Sequence, residues 1–515
     1  MSGARRQSHH GVWGGLQRRR SKMGGTPVSH AVRQPGDRQQ YRDENRMSRT
    51  WTIPNVDEYP CRKPPSIWWC VLAVVVIQTA GVLIAALTWE QGKPVMSEEF
   101  FARALLLPLL VSGVMCGVIY VGYEEWIERA DWWNFLCRNE RAMWRQWAQA
   151  HVAIVDSIAL TPEPELAERL MGLEGSAPMN PDKILALPET ACSAAESRLA
   201  RVLERLAAPF ATSLARHASH LGVEVILQSA DEDDLKELRA VWRRLNLPDL
   251  AQFRWVPYGA TQTNIDTWFD HGGTTDFRLL LACQLHAEGA EPAWSEAAVG
   301  MLLASPRVAR EIGGKFRPQA RLFRSITMPS DSVVDALETL LAAEQTPRAR
   351  IRNVWLSDLP RQSRHATLGA IEVLELGGAA HDVDRAMGKP GPVNRLLLQA
   401  LAARMVAHGQ GAQLVASPSG QQVRLNLVSV QCAPVPRVEA GYRRLLNLSF
   451  SVSGSCCLTM IMVALNTLGA SKWWSWLCLA GFVLLFLIQV GCSFLRRWLL
   501  EDEFFRHLRR IGTRT

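Results

Sequence analysis

Hydrophobic and polar positions divide this chain into two apolar pairs with a mixed region between them. The run "IWWCVLAVVVIQTAGVLIAALTW" carries no charge from Ile67 to Trp89, so as a helix it is long enough to cross ~30 Å of hydrocarbon. A second apolar run, Ala104 to Tyr123, follows after a short loop, and Pro108 near its start is tolerated in a membrane helix. A third, Leu446 to Leu468, is less hydrophobic, with Ser449, Ser451, Ser453 and Asn466, whose serines can bond back to helix carbonyls. The fourth spans Trp474 to Phe494. The pattern predicts two transmembrane hairpins, at 66–123 (helices 67–89 and 104–123) and 446–494 (helices 446–468 and 474–494). The first run starts too far in, is too long and lacks a small-residue cleavage site, so it is not a signal peptide. Tryptophans at the ends of the spans, Trp68, Trp69, Trp89, Trp473 and Trp474, suit an aromatic belt, and Trp126, Trp132 and Trp133 extend it on a helix leaving the bilayer. Gly113 and Gly117 form a GxxxG through which another helix approaches closely.

Charge orients the spans. Arg62 and Lys63 precede the first, Arg129, Arg138, Arg141 and Arg145 follow the second, Arg443 and Arg444 precede the third, and Arg496 and Arg497 follow the fourth. The connecting loops hold only Lys93 and Arg103 in one and Lys472 in the other. Positive-inside logic places the N-terminus, the middle domain and the C-terminus in the cytoplasm, as in a multi-pass protein of a bacterial inner membrane. The basic arm 1–65 is expected to be disordered, with a plausible alternative start at Met47, and the tail 495–515 is basic and cytoplasmic. The net charge of +8 is concentrated in that arm and serves lipid headgroups; no nucleic acid partner is expected. Eleven cysteines without a CxxC pair argue against a disulfide framework and a zinc site, and no metal or cofactor is expected.

Between the hairpins, 124–250 reads as a helical juxtamembrane region and the first part of a cytoplasmic domain. It includes Trp144 and Trp147, a helix from Glu189 to Leu221 and a strand from Val223 to Ser229. Four acids in "ADEDDLKELRAVWRRL" suit a helix N-terminus. From 251 to 432, short apolar strands such as "FRLLLACQL", "AAVGMLLAS" and "IRNVWLSD" alternate with amphipathic helices, which predicts an α/β mixed sheet. Walker, GxGxxG, HExxH and GxSxG motifs are absent.

"TACS" at Thr190–Ser193 resembles the nucleophile motif of β-ketoacyl synthases, but Cys192 lies too far before Glu296 for that role. Cys192 is expected in the first turn of a helix started by Thr190. From Phe277 to Val430 the chain resembles the second half of a thiolase-like ketosynthase. "LLACQLHAEGAEPAWSEAAVGMLLASPRVA" matches its strand pair, "SVVDALETLLAAEQTPRARIRNVWLSD" the approach to its first catalytic histidine, and "GKPGPVNRLLLQALAARMVAHGQGAQLVA" its second catalytic loop and buried helix. The resemblance implies a thiolase-like fold. At the two histidine positions this chain has Ser357-Asp358 and Gly388-Lys389, so the expected domain is degenerate and non-catalytic. His271 in "HGGTT" precedes the strands it should follow, and His365 lies outside the matching positions. The arrangement is also similar to proteobacterial inner-membrane proteins associated with type VI secretion. The expectation is an adaptor or assembly protein that presents this domain to a protein partner, possible also as a homo-oligomer. The alternative is a membrane-bound acyltransferase or lipid-handling enzyme using Cys192 or Cys283 with His286 or His381.

Overall fold

A computed structural model describes residues 49–512 except 91, 93, 95, 96, 189–195, 218–221, 250, 259–264, 266, 267, 270–274, 288, 312–316, 435–437, 439–446 and 468–470. Among these residues, four helices are long and apolar enough to cross a membrane. Helix α1 is Ile67–Leu87, and a short turn Glu98–Phe101 with a π-turn Ala102–Leu106 leads into α2, Leu107–Ala148. The last two, α10 (Leu448–Thr467) and α11 (Lys472–Gly512), follow the sheet domain. Both α2 and α11 run well past the apolar segments, to 42 and 41 residues. Their polar halves pair through Arg496 and Glu125 (2.7 Å), Arg497 and Glu128 (3.5 Å), and Arg129 and Glu503 (3.3 Å). Trp133 packs edge-on against Phe504 beneath this ladder.

Helix α10 lies against Gly113 and Gly117 of α2. A Cβ at Gly117 would stand 1.9 Å from Ser453 Oγ and 2.6 Å from the Ser449 carbonyl oxygen, and one at Gly113 would stand 2.7 Å from Cys456 Sγ. The backbones approach because these positions lack side chains, the usual device where lipid supplies no hydrophobic drive between helices.

The domain between these two pairs of helices is one eleven-stranded sheet among the described residues. In chain order come β1 (His151–Leu160), α3 (Leu166–Leu170), α4 (Arg198–Ala207), β2 (Val223–Ser229), α5 (Asp234–Arg244), β3 (Gln252–Pro257), β4 (Phe277–Gln284) and β5 (Ala297–Ala304). Then follow β6 (Ala320–Phe323), β7 (Ile326–Pro329), α6 (Val333–Ala342), β8 (Ile351–Leu356), α7 (Arg361–Val373), β9 (Ala379–Asp382), α8 (Val383–Met387), α9 (Asn394–Ala407), β10 (Ala412–Ser419) and β11 (Gln422–Ser429). The strand order is β3-β2-β4-β5-β1-β6-β11-β10-β8-β9, with β7 paired to β11. Read outward from the β1–β6 contact, and counting β6 and β7, which both pair with β11, as one interrupted strand, each side runs first, fifth, fourth, second, third strand of its half. The parallel pairs β2–β3 and β2–β4 correspond to β8–β9 and β8–β10, and the antiparallel pairs β4–β5 and β1–β5 to β10–β11 and β6–β11. The domain is therefore an internal duplication joined where β1 meets β6 in antiparallel register. Helix α9 is apolar nearly all round and packs on strands of both halves, as such a helix must to leave water.

Two buried glutamines fasten this domain to α2. Only two residues separate the end of α2 from β1. Gln149 Nε2 donates to the carbonyls of Ala343 (3.0 Å) and Glu344 (2.9 Å), just past α6. Gln345 Nε2 donates to the carbonyls of Ala148 (2.7 Å), the last residue of α2, and Arg324 (3.0 Å). The final carbonyls of a helix have no partner within it, so each glutamine caps the helix end contributed by the other side.

Several expectations are corrected. His151–Leu160, read within a helical region, is the strand where the halves meet, so the sheet begins there, ahead of the strand expected at Val223–Ser229. Its β-branched run follows the tryptophan-rich helix with no turn signal to mark the change. Residues 189–195 lie outside the described residues, and the helix expected from Glu189 begins at Arg198, where Ser197 Oγ accepts from Ala200 N at 3.0 Å. Residues 51–59, expected within a disordered arm, lie along α2 and hydrogen-bond to it. Trp133 is 5% exposed and donates to the Asp57 carbonyl at 3.0 Å, so it belongs to a packed core and not to a membrane belt. The tail 495–515 continues α11 as helix to Gly512.

Because Gly117 faces a backbone oxygen, Gly117→Ala is expected to cost about 1–3 kcal/mol of helix-packing stability. The check is the thermal unfolding of the detergent-solubilised protein, where an unchanged transition would contradict so close an approach.

Candidate functional site

The carboxyl ends of β4, β8 and β9 converge on the N-terminus of α9, the kind of crevice where α/β sheets usually bind ligands. In this chain the crevice is filled by the protein's own polar side chains. Gln284, the last residue of β4, is fully buried. Its Oε1 accepts from Val393 N (2.8 Å), and its Nε2 donates to the Ser295 carbonyl (2.7 Å) and Asn394 Oδ1 (3.4 Å). The side-chain amide thus caps the α9 N-terminus, its oxygen accepting from the main chain there. Gly391 is glycine for this reason: a Cβ there would stand 2.7 Å from Gln284 Oε1 and 2.8 Å from the Trp294 ring.

Ser357 and Asp358, just past β8, complete the network. Asn394 Nδ2 donates to Ser357 Oγ (2.9 Å), Ser357 Oγ donates to Asp384 Oδ1 (2.5 Å), and Asp358 N donates to Asp384 Oδ2 (2.8 Å). Burial pushes the Asp384 carboxyl above its usual range; the Ser357 and Asp358 N–H bonds pull it down, the Asp358 charge raises it, and Arg364 lowers it. Burial raises Asp358 as well. Asp358 holds φ of 58°, a left-handed conformation that is uncommon for a residue with a Cβ.

Residues 180–187 close the mouth of the crevice. Lys389 N donates to the Lys183 carbonyl (2.8 Å), Ser295 N to the Lys389 carbonyl (2.9 Å) and Glu296 N to the Leu185 carbonyl (2.8 Å). Gly388 has φ of 88°, and a Cβ on it would stand 2.2 Å from the Lys183 carbonyl oxygen. Glu296 is fully buried and accepts from Leu187 N (2.7 Å), His286 N (2.7 Å) and Arg198 (2.5 Å). The buried carboxylate is thus paired with a guanidinium and two main-chain donors.

The structure keeps the sequence candidates apart. Cys192 and His271 lie outside the described residues. Cys283 is buried on the opposite face of β4 from Gln284, in the core beneath α4 and α5, and its thiol is pushed up to about 12 by burial and by the Asp234 charge. His286 is held by the Trp294 carbonyl (2.7 Å). His381, on edge strand β9, meets Asn353 Oδ1 (3.2 Å) and leans on the Trp355 ring, and burial holds it below the ordinary histidine range. His365 is exposed on α7. Among the described residues no hydrogen bond joins Cys283 to a histidine, and no group of three or more His, Cys, Asp or Glu could hold a metal ion. Two of the residues that matter here, Gln284 and Asn394, escape motif reading. Their signal is a polar residue set inside or beside an apolar run, as in "LLACQL" and "GPVNRLLL".

No protein-family model matches the chain, and no curated protein matches it. Among solved structures it is similar to an oxazolomycin ketosynthase domain of Streptomyces albus, with 13% identity and a TM-score of 0.38 over 56% of this chain and 99% of that one. It is similar to human mitochondrial 3-ketoacyl-CoA thiolase at 9% identity and a TM-score of 0.35, over 55% and 99% of the two chains. An OleA of Xanthomonas campestris matches at 13% identity and a TM-score of 0.34, over 54% and 98%. Superposition this loose carries no argument about chemistry. The mixed α/β sheet, with its duplicated strand order, is consistent with a thiolase-like fold.

Two outcomes follow from the burial. Asp384 binds its proton more readily folded than unfolded, so this group's contribution makes the native state more stable as pH falls through its raised value and less stable above it. Asp384→Asn keeps an acceptor for Asp358 N and removes the buried charge. Its melting temperature is expected to exceed the parent's at pH 7.5, with the gap narrowing as pH falls. A lower melting temperature at pH 7.5 would contradict this. Cys283 should resist iodoacetamide in the folded protein and react only on unfolding, since the thiolate is the reactive form. Peptide mass spectrometry of native and denatured samples reads that difference.

Proposed function

We infer that this chain is a non-catalytic membrane adaptor that presents a degenerate thiolase-like domain to a cytoplasmic protein partner. The observation that carries the reading is the closed crevice. Ser357-Asp358 and Gly388-Lys389 stand where the resemblance implies catalytic histidines, and Gln284 and residues 180–187 occupy the space a substrate would need. An acyl-transfer site requires an activated nucleophile and open oxyanion donors; here the α9 N-terminus is capped by Gln284 and Cys283 is sealed in a core.

The distribution of arginines supports an inner-membrane protein whose sheet domain and both termini face the cytoplasm. Residues 124–148 of α2 then rise about 37 Å at 1.5 Å per residue, holding the domain clear of the headgroups. A domain so placed is suited to meet a large assembly, and effector loading or assembly in type VI secretion is the setting we propose for it.

The test is incubation of the purified full-length protein with a radiolabelled long-chain acyl thioester. The account expects no thioester turnover above a heat-denatured control and no acylated cysteine. A covalent acyl group on Cys192 or Cys283 would overturn it and establish the acyltransferase alternative.

A further inference from the structure

Residues 51–59 lie extended along the membrane-distal half of α2, and the contacts read them position by position. Trp51 donates its indole N–H to the Ser325 carbonyl (2.9 Å) and meets Trp144 and Trp147 edge-on, with ring centroids at 6.4 and 5.4 Å. Val56 is 2% exposed, in a core with Trp133, Leu136, Cys137 and Phe504. Glu58 faces Arg138 (3.5 Å) and Arg141 (3.3 Å). Tyr59 stacks on Trp133 at 5.1 Å and meets Trp126 at 5.7 Å.

The main chain of this segment is read as well. Asn134 both accepts from Tyr59 N (2.7 Å) and donates to Tyr59 O (3.0 Å). Trp133 Nε1 donates to the Asp57 carbonyl (3.0 Å), with Cys137 Sγ at 3.9 Å from the same oxygen, and Arg141 donates to the Val56 carbonyl (2.9 Å) and Asn55 Oδ1 (3.4 Å). Side chains on one rigid element that bind an extended main chain and offer spaced pockets to its side chains form a peptide-recognition groove. A segment that merely covered apolar surface would not need its carbonyls and amides matched individually.

We propose that the stalk built on α2 and α11 is a peptide-binding groove for an extended segment bearing a tryptophan, an aliphatic residue five positions on and an acidic–aromatic pair beyond it. Residues 51–59 fill this groove in cis, and the same segment of a second copy exchanges into it. A second copy is the occupant because its segment meets every one of these contacts, and because exchange of an identical element needs no new interface. The N-terminal end of the segment reaches the joint where Gln149 and Gln345 interlock, so exchange would tie two sheet domains together at their attachment to α2.

A fluorescent synthetic peptide of residues 49–60 is titrated into the full-length protein in detergent. Trp51→Ala with Tyr59→Ala weakens the resident segment, and this variant is expected to bind the peptide at least tenfold more tightly than the parent does. Asn134→Ala with Arg141→Ala should lose that binding. Because the latter could unfold, a charge swap accompanies it: Arg138→Glu should prefer a peptide carrying Glu58→Lys over the native one. Exchange itself is read by co-expressing two tagged copies, one with the weakened segment and one with Asn134→Ala and Arg141→Ala. Their co-purification above that of either variant with itself is expected. Absence of peptide binding to the weakened variant, no reversal by the charge swap, or no enrichment of the mixed pair would each overturn the proposal.

Discussion

The attachment of the sheet domain to its helices depends on the reciprocal capping of two helix ends by Gln149 and Gln345. Each side chain is buried, 5% and 0% exposed, and each donates to carbonyls that the other helix leaves without partners. Losing either glutamine would strand buried carbonyls, and each such group costs on the order of 1–3 kcal/mol. Around this joint, Arg145 pairs with Glu344 at 3.2 Å and Arg324 lies over the Trp147 ring at 4.4 Å. With two residues between α2 and β1, the chain has no linker in which the sheet could swing. The membrane helix, the stalk and the strand at the centre of the duplicated sheet form one mechanical unit.

That rigidity gives the closed crevice its meaning. Polar groups at the ends of β4, β8 and β9 are bonded to one another instead of awaiting a ligand, and the price of burying them is met by mutual hydrogen bonds. Gln284 and Asn394 are neither charged nor titratable, and Asp384 is held by Ser357 and Asp358.

The membrane helices and the α/β character of the middle region were legible because apolar runs and strand alternation survive any context. The edge strand β9 and the strand β10 were not, since "AAHD" is too short to show a period and "AQLVASPS" follows a helix of similar hydropathy. Strand β1 escaped for the opposite reason: its signal is clear, but it begins where a long amphipathic helix stops without glycine or proline. The duplication shows in the order of pairing and leaves no repeat in the residues. At the site, cysteine and histidine drew attention because their chemistry is intrinsic to the residue. The role of Gln284 exists only once Val393, Ser295 and Asn394 surround it. The segment at 51–59 lay hidden for the same reason, as its acidic and aromatic residues gain partners only from α2.

The most direct test of this account is a distance between stalk and sheet. Spin labels at exposed Asp131 of α2 and exposed Gln421 in the turn between β10 and β11, in a background where the exposed Cys61 and Cys492 are replaced by serine, report it by pulsed dipolar spectroscopy. One narrow distance distribution is expected in the parent, broadening when Gln345→Ala opens the joint. A broad distribution in the parent itself would show that the domain moves freely on its stalk, and would contradict the account.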